Sequence, residues 1–314
     1  MKRLFVQTGI FLLFIMVVIG VSSIFSRHLL QKYVLNPENF QLPDSVQILI
    51  IGDSQIAISL NPNIIPNSNN QAIAAEHYLY TFSRLKRFLE NNPQIKTVVL
   101  SFNHANLSKK WDRNLFEGRE KTYFFSKEFM ILGKEEQNLL YATDLLYFRN
   151  YLAWRFGFPT KENIPILIGI LTNNFSRKDL PYLGVFIGSG PAYNVSNAKQ
   201  RIEDAIGINE TPELADIQME YLNRIIRLCN SLNVRLVLYA SPVSSNFYTL
   251  IPDFYKTEYD RISKELSQKV QLFNDVLYAL PDTCFSDANH LNGVGSDIIS
   301  HKFLNELKNL DSNK

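Results

Sequence analysis

Two short motifs in this chain carry side chains that could act together as a nucleophile and its base. The first, Gly52-Asp53-Ser54-Gln55, directly follows residues 46–51, an almost wholly apolar run. Such a run, ended by a glycine, is typical of a buried strand of a parallel sheet. A serine at the carboxyl end of that strand would enter the crevice where α/β sheets bind ligands, and Gly52 removes a side chain that would crowd the turn. The structural alternative is a helix N-cap, a position that Asp and Ser both favour.

The second motif, Asp287-Ala-Asn-His290-Leu-Asn, lies near the C-terminus, just before the last segment with helical periodicity. An acid three residues before a histidine can supply a base and the group that orients it from a single turn. Asp287 would then hold the tautomer of His290, and His290 would accept the proton of a serine hydroxyl. For this motif alone, the alternative is a polar loop in which Asn292 caps the following helix.

The elements that would position these motifs are predicted by alternating apolar patterns. Short apolar runs predict buried strands at 46–51, 97–102, 234–239 and 270–273. Apolar residues at helical spacing predict helices at 78–91, 214–232, 258–270 and 293–309. Strands that alternate with helices imply a parallel sheet covered on both faces, which is a three-layer α/β sandwich. Residues 109–207 break the rhythm and predict a largely helical insertion over one end of the sheet, with aromatic clusters at 123–125, 147–148 and 151–158 and turns at 181–191.

Residues 4–25 form an apolar segment without formal charge, long enough for a helix that crosses a bilayer. We therefore predict a transmembrane anchor at 1–28, a Pro-containing stalk at 29–45 and an α/β domain at 46–314 on the extracytoplasmic side. The lipid bilayer is then the first expected partner. A cleaved signal peptide, which would release a secreted protein, is the alternative, although the run exceeds the usual signal core of about 7–15 residues.

The composition is that of a folded and nearly neutral chain. Apolar residues make up 46% of it and aromatic residues 12%, which is ample for a core of domain size. With 32 Lys and Arg against 30 Asp and Glu, the net charge is only +2, so a broad basic face for nucleic acid is not expected. The two cysteines cannot form a disulfide framework, and no cluster has the spacing of metal ligands. We therefore expect no metal, no other cofactor and no nucleic-acid partner.

As a pair, the two motifs resemble the first and last blocks of the SGNH (GDSL-like) hydrolase superfamily, over about residues 45–308. The resemblance implies a sandwich of the SGNH, flavodoxin-like kind. It also implies that Ser54 is the nucleophile, His290 the base and Asp287 the acid of a catalytic triad. The N-terminal anchor and the long insertion make the chain more similar to the membrane-tethered, envelope-modifying branch (the DltD-like and alginate-acetylation proteins) than to small secreted esterases.

The resemblance also implies oxyanion donors: the N–H of Ser54, the N–H of a small residue and an asparagine side chain. Gln71-Ala-Ile-Ala-Ala75 lies where the small-residue block belongs, with Ala74 or Ala75 in place of the usual glycine. Alanine keeps the N–H and suffices unless the backbone needs a positive φ. Glu76, next along the chain, is expected to favour the start of the following helix through its charge.

The asparagine block is matched by Ser101-Phe-Asn103-His104, which stands where the family has Gly-x-Asn-Asp. Asn103 therefore matches the oxyanion asparagine, while the glycine is missing and His104 occupies the aspartate position. Candidate substrate contacts are Asp53, Gln55 and His104.

These residues lead us to expect a membrane-anchored serine esterase or O-acyltransferase that acts on an ester of an envelope glycan through an acyl-serine intermediate. The sequence leaves open whether the acyl group goes to water or to a sugar hydroxyl, with a membrane acyl-transfer partner. The alternative from another class is a catalytically inactive SGNH-fold scaffold or carbohydrate-binding protein in an envelope assembly. The departures from the family pattern in the small-residue block and the asparagine block favour this alternative. A third is a membrane-proximal structural protein whose Gly-Asp-Ser segment is merely a cap.

Overall fold

The computed structural model describes residues 1–117, 128–141, 156–157, 163–180, 182–188, 195–207, 209 and 211–312. The chain divides into two compact units: Met1–Asn39 with Thr122–Tyr182, and Phe40–Lys121 with Leu183–Lys314. The second, the α/β unit, contains residues 109–121 and 183–207 of the predicted insertion. The domain boundaries expected from the sequence stay predictions. The aromatic clusters at 123–125 and 147–148, and most of 151–158, lie outside the described residues, as do Pro181 and Pro191.

In chain order the described helices are α1 (Lys2–Leu29), α2 (Ser54–Ser59), α3 (Tyr78–Asn91), α4 (Lys109–Asn114), α5 (Lys134–Tyr141), α6 (Ile164–Leu171), α7 (Ala198–Ala205), α8 (Asp216–Ser231), α9 (Ser245–Leu250), α10 (Asp253–Leu266) and α11 (Gly293–Ser312). The strands are β1 (Ile48–Ile51), β2 (Ser68–Asn70), β3 (Thr97–Ser101), β4 (Arg235–Ala240), β5 (Gln271–Asn274), β6 (Phe285–Asp287) and β7 (His290–Leu291).

The N-terminal unit contains α1, whose apolar side chains are largely exposed up to Phe25. The helical backbone continues through a π-helical turn, Leu30–Val34, into the predicted stalk. In the part of the chain that the structure describes, this is the one helix long and apolar enough to cross a membrane, and its apolar 18-residue window has a mean hydropathy of 2.6. A membrane span and a signal sequence share those properties.

The α/β unit is built on a five-stranded sheet in the order β2-β1-β3-β4-β5, in which all four neighbouring pairs are parallel. Leu49 of β1 pairs with Val98 of β3, and Val98 pairs with Leu236 of β4. The order changes direction at β1, which is followed in the sheet by β2 on one side and β3 on the other. In such sheets the crevice at this switch point, at the carboxyl ends of the strands, is the usual ligand site.

Both faces of this sheet are covered. On one face, Ile50, Val99 and Val237 belong to a buried cluster that includes Ile56 of α2 and Phe303 of α11. The alternate strand residues Leu49, Val98 and Leu238 point to the opposite face and are fully buried as well. The three-layer α/β sandwich with a parallel sheet is therefore the fold of this unit, as predicted.

The strands and helices that carry strong apolar patterns were predicted within a few residues, except that α10 begins at Asp253, five residues before its predicted start. Three strands were not predicted. Strand β2 has the sequence Ser-Asn-Asn and pairs only with β1 at the sheet edge, so its formation depends on its neighbour and not on its own apolar content. Strands β6 and β7 form a two-stranded antiparallel hairpin.

Candidate active site

Ser54 is the first residue of α2 and lies beyond the end of β1, at the predicted strand-to-helix turn. Gly52 in that turn has φ +131°, and a Cβ there would lie 3.0 Å from the backbone nitrogen of Ser101. The turn therefore requires glycine twice over, for its backbone conformation and for the close approach of β3. Asp53 is the N-cap of α2, so the cap alternative holds for Asp53 while leaving the hydroxyl of Ser54 free for other contacts.

The carboxylate of Asp53 is buried and fully engaged. Its Oδ1 accepts from the N–H of Gln55 at 3.0 Å, and its Oδ2 accepts from the side-chain amides of Asn103 at 3.3 Å and Asn106 at 3.1 Å. Asn106, which the sequence reasoning missed, also accepts from the N–H of Asn103 at 2.9 Å. This network holds the Asn103 carboxamide in place behind Ser54. Asp53 is thus a supporting residue as well as a lining residue of the site.

His290 and Asp287 lie on either side of the short turn between β6 and β7. Nδ1 of His290 lies 2.9 Å from Oδ2 of Asp287, and the N–H groups of Asn289 and His290 donate to Oδ1 at 3.0 and 2.9 Å. Burial raises the pKa of the Asp287 carboxyl, but the hydrogen bond and charge of His290, the N–H of Asn289 and nearby Arg201 outweigh it and hold the pKa below its usual range. Asp287 is therefore an anion at neutral pH.

The two motifs meet in space. Nε2 of His290 lies 2.8 Å from Oγ of Ser54, although the residues are 236 positions apart in the chain. The predicted proximity is thereby confirmed at hydrogen-bond distance. A serine, an imidazole and a carboxylate in this linear order form the arrangement in which a hydroxyl can be activated for nucleophilic attack.

Three candidate oxyanion donors belong to residues that line the crevice beside Ser54. The N–H of Ser54 opens α2, where helical geometry provides no acceptor. Ala75 lines the crevice, and its N–H makes no hydrogen bond among the described residues. Asn103 lines it too, with an amide N–H beyond the one used by Asp53. Ala74, the other predicted alternative, does not line the crevice.

Ala75 has φ +58°, the left-handed conformation that favours glycine. The segment that contains it is held by Arg84, whose guanidinium donates to the carbonyl of Gln71 and to the carboxylate of Glu76. Both charged side chains are fully buried. The expectation that Glu76 acts mainly as a first-turn charge is therefore wrong, because its carboxylate is the buried partner of Arg84 and also accepts from Thr81.

A crevice of about 420 Å³ opens over Ser54. It is lined by Asp53, Ser54, Gln55, Ala75, Asn103, Ala105, Lys110, Trp111, Asn114, Arg201, Asp204, Ala205 and Asn289. Lys110, Trp111 and Asn114 come from α4, and Arg201 and Asp204 come from α7. Sequence reasoning missed these five residues, because they lie on short helices at the two ends of the predicted insertion and form no local motif.

His104 is placed differently from the prediction that it contacts substrate. Its ring stacks on Tyr259 at 4.1 Å and meets the edge of Tyr248 at 5.8 Å. Burial, with a smaller effect of Lys256, lowers the pKa of His104 to about 4. His104 is thus a neutral packing residue of the interior, and it does not line the crevice. Gln55 does line it, and its side-chain oxygen has no hydrogen-bond partner in the described part of the chain.

Among the residues that the structure describes, no group of three or more His, Cys, Asp and Glu side chains is arranged to hold a metal ion. Cys284 is buried in the core beneath α11, and burial raises the pKa of its thiol.

No family model and no curated protein matches this chain. Solved structures do match, among them a protein from Streptococcus pneumonia assigned provisionally as a platelet activating factor, with 10% identity, a TM-score of 0.43 and 96% and 99% of the two chains covered. Another, from Bacteroides fragilis NCTC 9343, is assigned provisionally as an acylhydrolase, with 9% identity, a TM-score of 0.39 and coverage of 88% and 96%. At these TM-scores, neither likeness indicates what this chain does.

Proposed function

We propose that the chain is a serine esterase or O-acyltransferase of the SGNH type that works through an acyl-serine intermediate. The observation that carries this proposal is the relay from Ser54 Oγ to His290 Nε2 at 2.8 Å and from His290 Nδ1 to Asp287 at 2.9 Å. It lies at the carboxyl edge of a parallel sheet, beneath an open crevice. A helix cap alone would need none of these contacts.

In the proposed reaction, Ser54 attacks the ester carbonyl while His290 takes the hydroxyl proton on Nε2. Asp287 keeps the hydrogen on Nδ1 and stabilises the imidazolium that forms. The imidazolium then gives its proton to the departing alcohol, which leaves the acyl group on Ser54. An incoming hydroxyl, activated by the same imidazole, releases the acyl group and regenerates the serine.

The negative charge on the carbonyl oxygen during each step would be stabilised by the N–H of Ser54, the N–H of Ala75 and the amide of Asn103. Such donors act mainly in the transition state, where the charge develops. Asp53 and Asn106 orient the amide of Asn103 beforehand, so that little reorganisation is needed during the reaction.

We further propose that the acyl ester belongs to an envelope glycan and that the protein acts at a membrane, held there by α1, with the α/β unit on the extracytoplasmic side. Support comes from the apolar helix and from a crevice lined by amide and charged side chains with one tryptophan. A hydroxyl-rich substrate suits that lining. The resemblance to the DltD-like and alginate-acetylation proteins motivates transfer to a sugar hydroxyl as well as hydrolysis.

A fluorophosphonate probe tests the proposal on the full-length chain in detergent. We expect labelling of Ser54 in the wild type and none in Ser54→Ala. Ser59, a buried serine on the same helix, provides the matched control, since Ser59→Ala should still be labelled. A wild-type chain that is folded but not labelled would favour the inactive scaffold. Release of acid from an aryl acetate, against transfer to an added sugar, separates hydrolysis from transfer.

A further inference from the structure

Arg201 makes a contact that the proposed reaction does not use. It lies on α7, lines the crevice and has a side chain that is 27% exposed. Its Nε donates to the side-chain oxygen of Asn289 at 2.7 Å, and its Nη2–H points at Nδ1 of His290 at 3.1 Å. Nδ1 is the same ring nitrogen that faces Asp287. Two groups of opposite charge therefore compete for one atom.

The two contacts with Nδ1 cannot both be hydrogen bonds. If Nδ1 carries the hydrogen, the ring donates to Asp287, and the Nη2–H of Arg201 points at another donor. If Nδ1 has the lone pair, Arg201 donates to it, but Asp287 loses the ring N–H and the hydrogen moves to Nε2. In that second tautomer Nε2 cannot accept the proton of Ser54. The tautomer needed for the reaction thus leaves a guanidinium N–H of Arg201 without an acceptor.

The remaining neighbours do not supply that acceptor. The carboxylate of Asp287 lies 3.5 Å from Nε, and that of Asp204 lies 3.9 Å from Nη1, which are ion-pair distances to other nitrogens of the guanidinium. Among the described residues, the only atom that Nη2–H meets within hydrogen-bond distance is Nδ1 itself. Because Arg201 is partly exposed in the crevice, an oxygen of a bound molecule can reach it.

We propose that Arg201 binds an anionic oxygen group of the substrate, a phosphate or a carboxylate. This binding gives the N–H of Arg201 an acceptor, so that Nδ1 of His290 carries its hydrogen and donates it to Asp287. The guanidinium prefers such groups because two parallel N–H bonds to an anion are stronger than bonds to neutral acceptors. Lys110 lines the same crevice, where its ammonium donates to the carbonyl of Glu203 and has no carboxylate partner among the described residues. Lys110 is thus a second positive charge on the lining. Of the two lining carboxylates, that of Asp53 is engaged by N–H groups within the protein, and that of Asp204 lies 3.9 Å from Nη1 of Arg201.

This inference names the substrate class of the proposed site and rests on the proposed function for its mechanistic part. Arg201 is in this role a binding and positioning residue: it contacts the substrate anion and acts on the reaction through the tautomer of His290. A ligand can shift the tautomer equilibrium of His290 only if it interacts with Arg201 more favourably in one tautomeric state than in the other.

The test uses the full-length chain in detergent, with ¹⁵N-labelled histidine, whose ring signals report the tautomer. Inorganic phosphate and succinate serve as separate probes, and the His290 signals are assigned by their loss in His290→Asn. In the wild type we expect either anion to move His290 toward the tautomer with hydrogen on Nδ1. In Arg201→Met we expect that tautomer without anion, and phosphate binding weakened by about tenfold or more.

Lys199→Met is the matched control, since Lys199 is an exposed cation on the same helix; it should behave as the wild type. Arg201→Lys, which keeps the charge but loses the planar fork, should bind phosphate more weakly than the wild type and more tightly than Arg201→Met.

Wild-type ring signals that respond to neither anion, or an equal response in Arg201→Met, would overturn the inference. The proposed function is judged separately by fluorophosphonate labelling. A chain labelled at Ser54 but insensitive to anions keeps the esterase proposal and loses this one. If His290 responds to anions through Arg201 but Ser54 is never labelled, the anion site is supported and the proposed enzymatic function is contradicted.

Discussion

The two halves of the candidate site are built differently. On the Ser54 side, Asp53, Asn103 and Asn106 are between 0 and 4% exposed, and their side chains are hydrogen-bonded to one another. On the His290 side, the side chains of Asp287 and Arg201 are 23% and 27% exposed. The first half is thus a largely buried network that reaches the wall of the crevice, while the second is partly open to solvent at Asp287 and Arg201.

This difference separates two tasks. Donors for a developing negative charge work best when they are fixed before the reaction, because no energy is then spent on reorienting them. A base that must exchange protons with entering and leaving groups needs neighbours that tolerate a change of charge. We therefore expect substitutions on the Ser54 side to alter stability or the rate constant of the chemical step, and substitutions around His290 to alter protonation and binding.

The largest expected effect links both halves. Ser54→Ala and His290→Ala should each lower kcat toward an aryl acetate by on the order of 10⁶, and the double variant should lose little more, because the residues act as one unit. Asp287→Asn should lose on the order of 10⁴, since serine and imidazole remain but the tautomer is disturbed. Steady-state kinetics of the three variants and the double variant would check this. Additive losses would contradict a single relay.

Breaking the buried ion pair beneath Ala75 should be the largest effect on stability. Glu76→Gln leaves the fully buried guanidinium of Arg84 uncompensated and should lower the free energy of unfolding by about 3–5 kcal/mol. Denaturant unfolding measures it. Lys86→Gln is the control, because it removes an exposed pair with Glu90 on the same helix, at 4.0 Å, and should change stability little. Equal effects of the two would argue against the buried pair as a support of this loop.

Asn103→Ala should lower kcat by about 10²–10³ with a smaller change in KM, as expected for a donor used in the transition state. The readout is the ratio of the changes in kcat and KM for an aryl acetate. An increase confined to KM would instead make Asn103 a substrate-binding residue and weaken the contrast between the halves.

Lowering the pH should reduce the free energy of unfolding, because His104, which follows Asn103 in the chain, is buried in its neutral form. Its pKa is about 4 in the folded chain against 6.5 ordinarily, so between these values the unfolded state binds more protons. Stability contributed by neutral His104 should be complete above pH 6.5 and fall as the pH drops toward 4, by on the order of 3 kcal/mol. Unfolding of His104→Phe, which keeps a ring against Tyr259, should show a smaller acid loss. An unchanged pH dependence would count against this prediction.

The smallest effect concerns the left-handed backbone of Ala75. Ala75→Gly should keep activity, because the N–H remains, and should raise the free energy of unfolding by less than about 1 kcal/mol, because relief of the positive φ outweighs the entropy that glycine adds to the unfolded chain. Thermal unfolding measures the difference. Ala74→Gly, at a neighbouring position without a positive φ, should instead destabilise slightly. Two glycine variants of equal stability would mean that the strain at Ala75 is negligible.

The sequence alone was sufficient for the architecture of the α/β unit, since β1, β3 and β4 are buried on both faces and read as continuous apolar runs. Each of the motifs Gly52-Asp53-Ser54 and Asp287–His290 was recognisable as a local arrangement of polar residues at the end of a predicted element, and their pairing followed from the resemblance of the two to blocks of one family. Strand β2 was not predicted, because it is polar and forms through its pairing with β1.

Other parts of the site depend on distant packing. Nothing next to Arg201 in the chain places its guanidinium at His290, 89 positions away, and nothing next to Glu76 reveals that Arg84 buries its carboxylate. Contacts across the fold likewise determine that Ala75, and not Ala74, lines the crevice. They also determine that His104 packs against aromatic rings in the interior. Local sequence determines which residues end a strand or cap a helix, because these features depend on hydrogen bonds between residues that are close in the chain. Which charge faces which ring is determined by how separately formed elements pack, and that information lies in the folded chain.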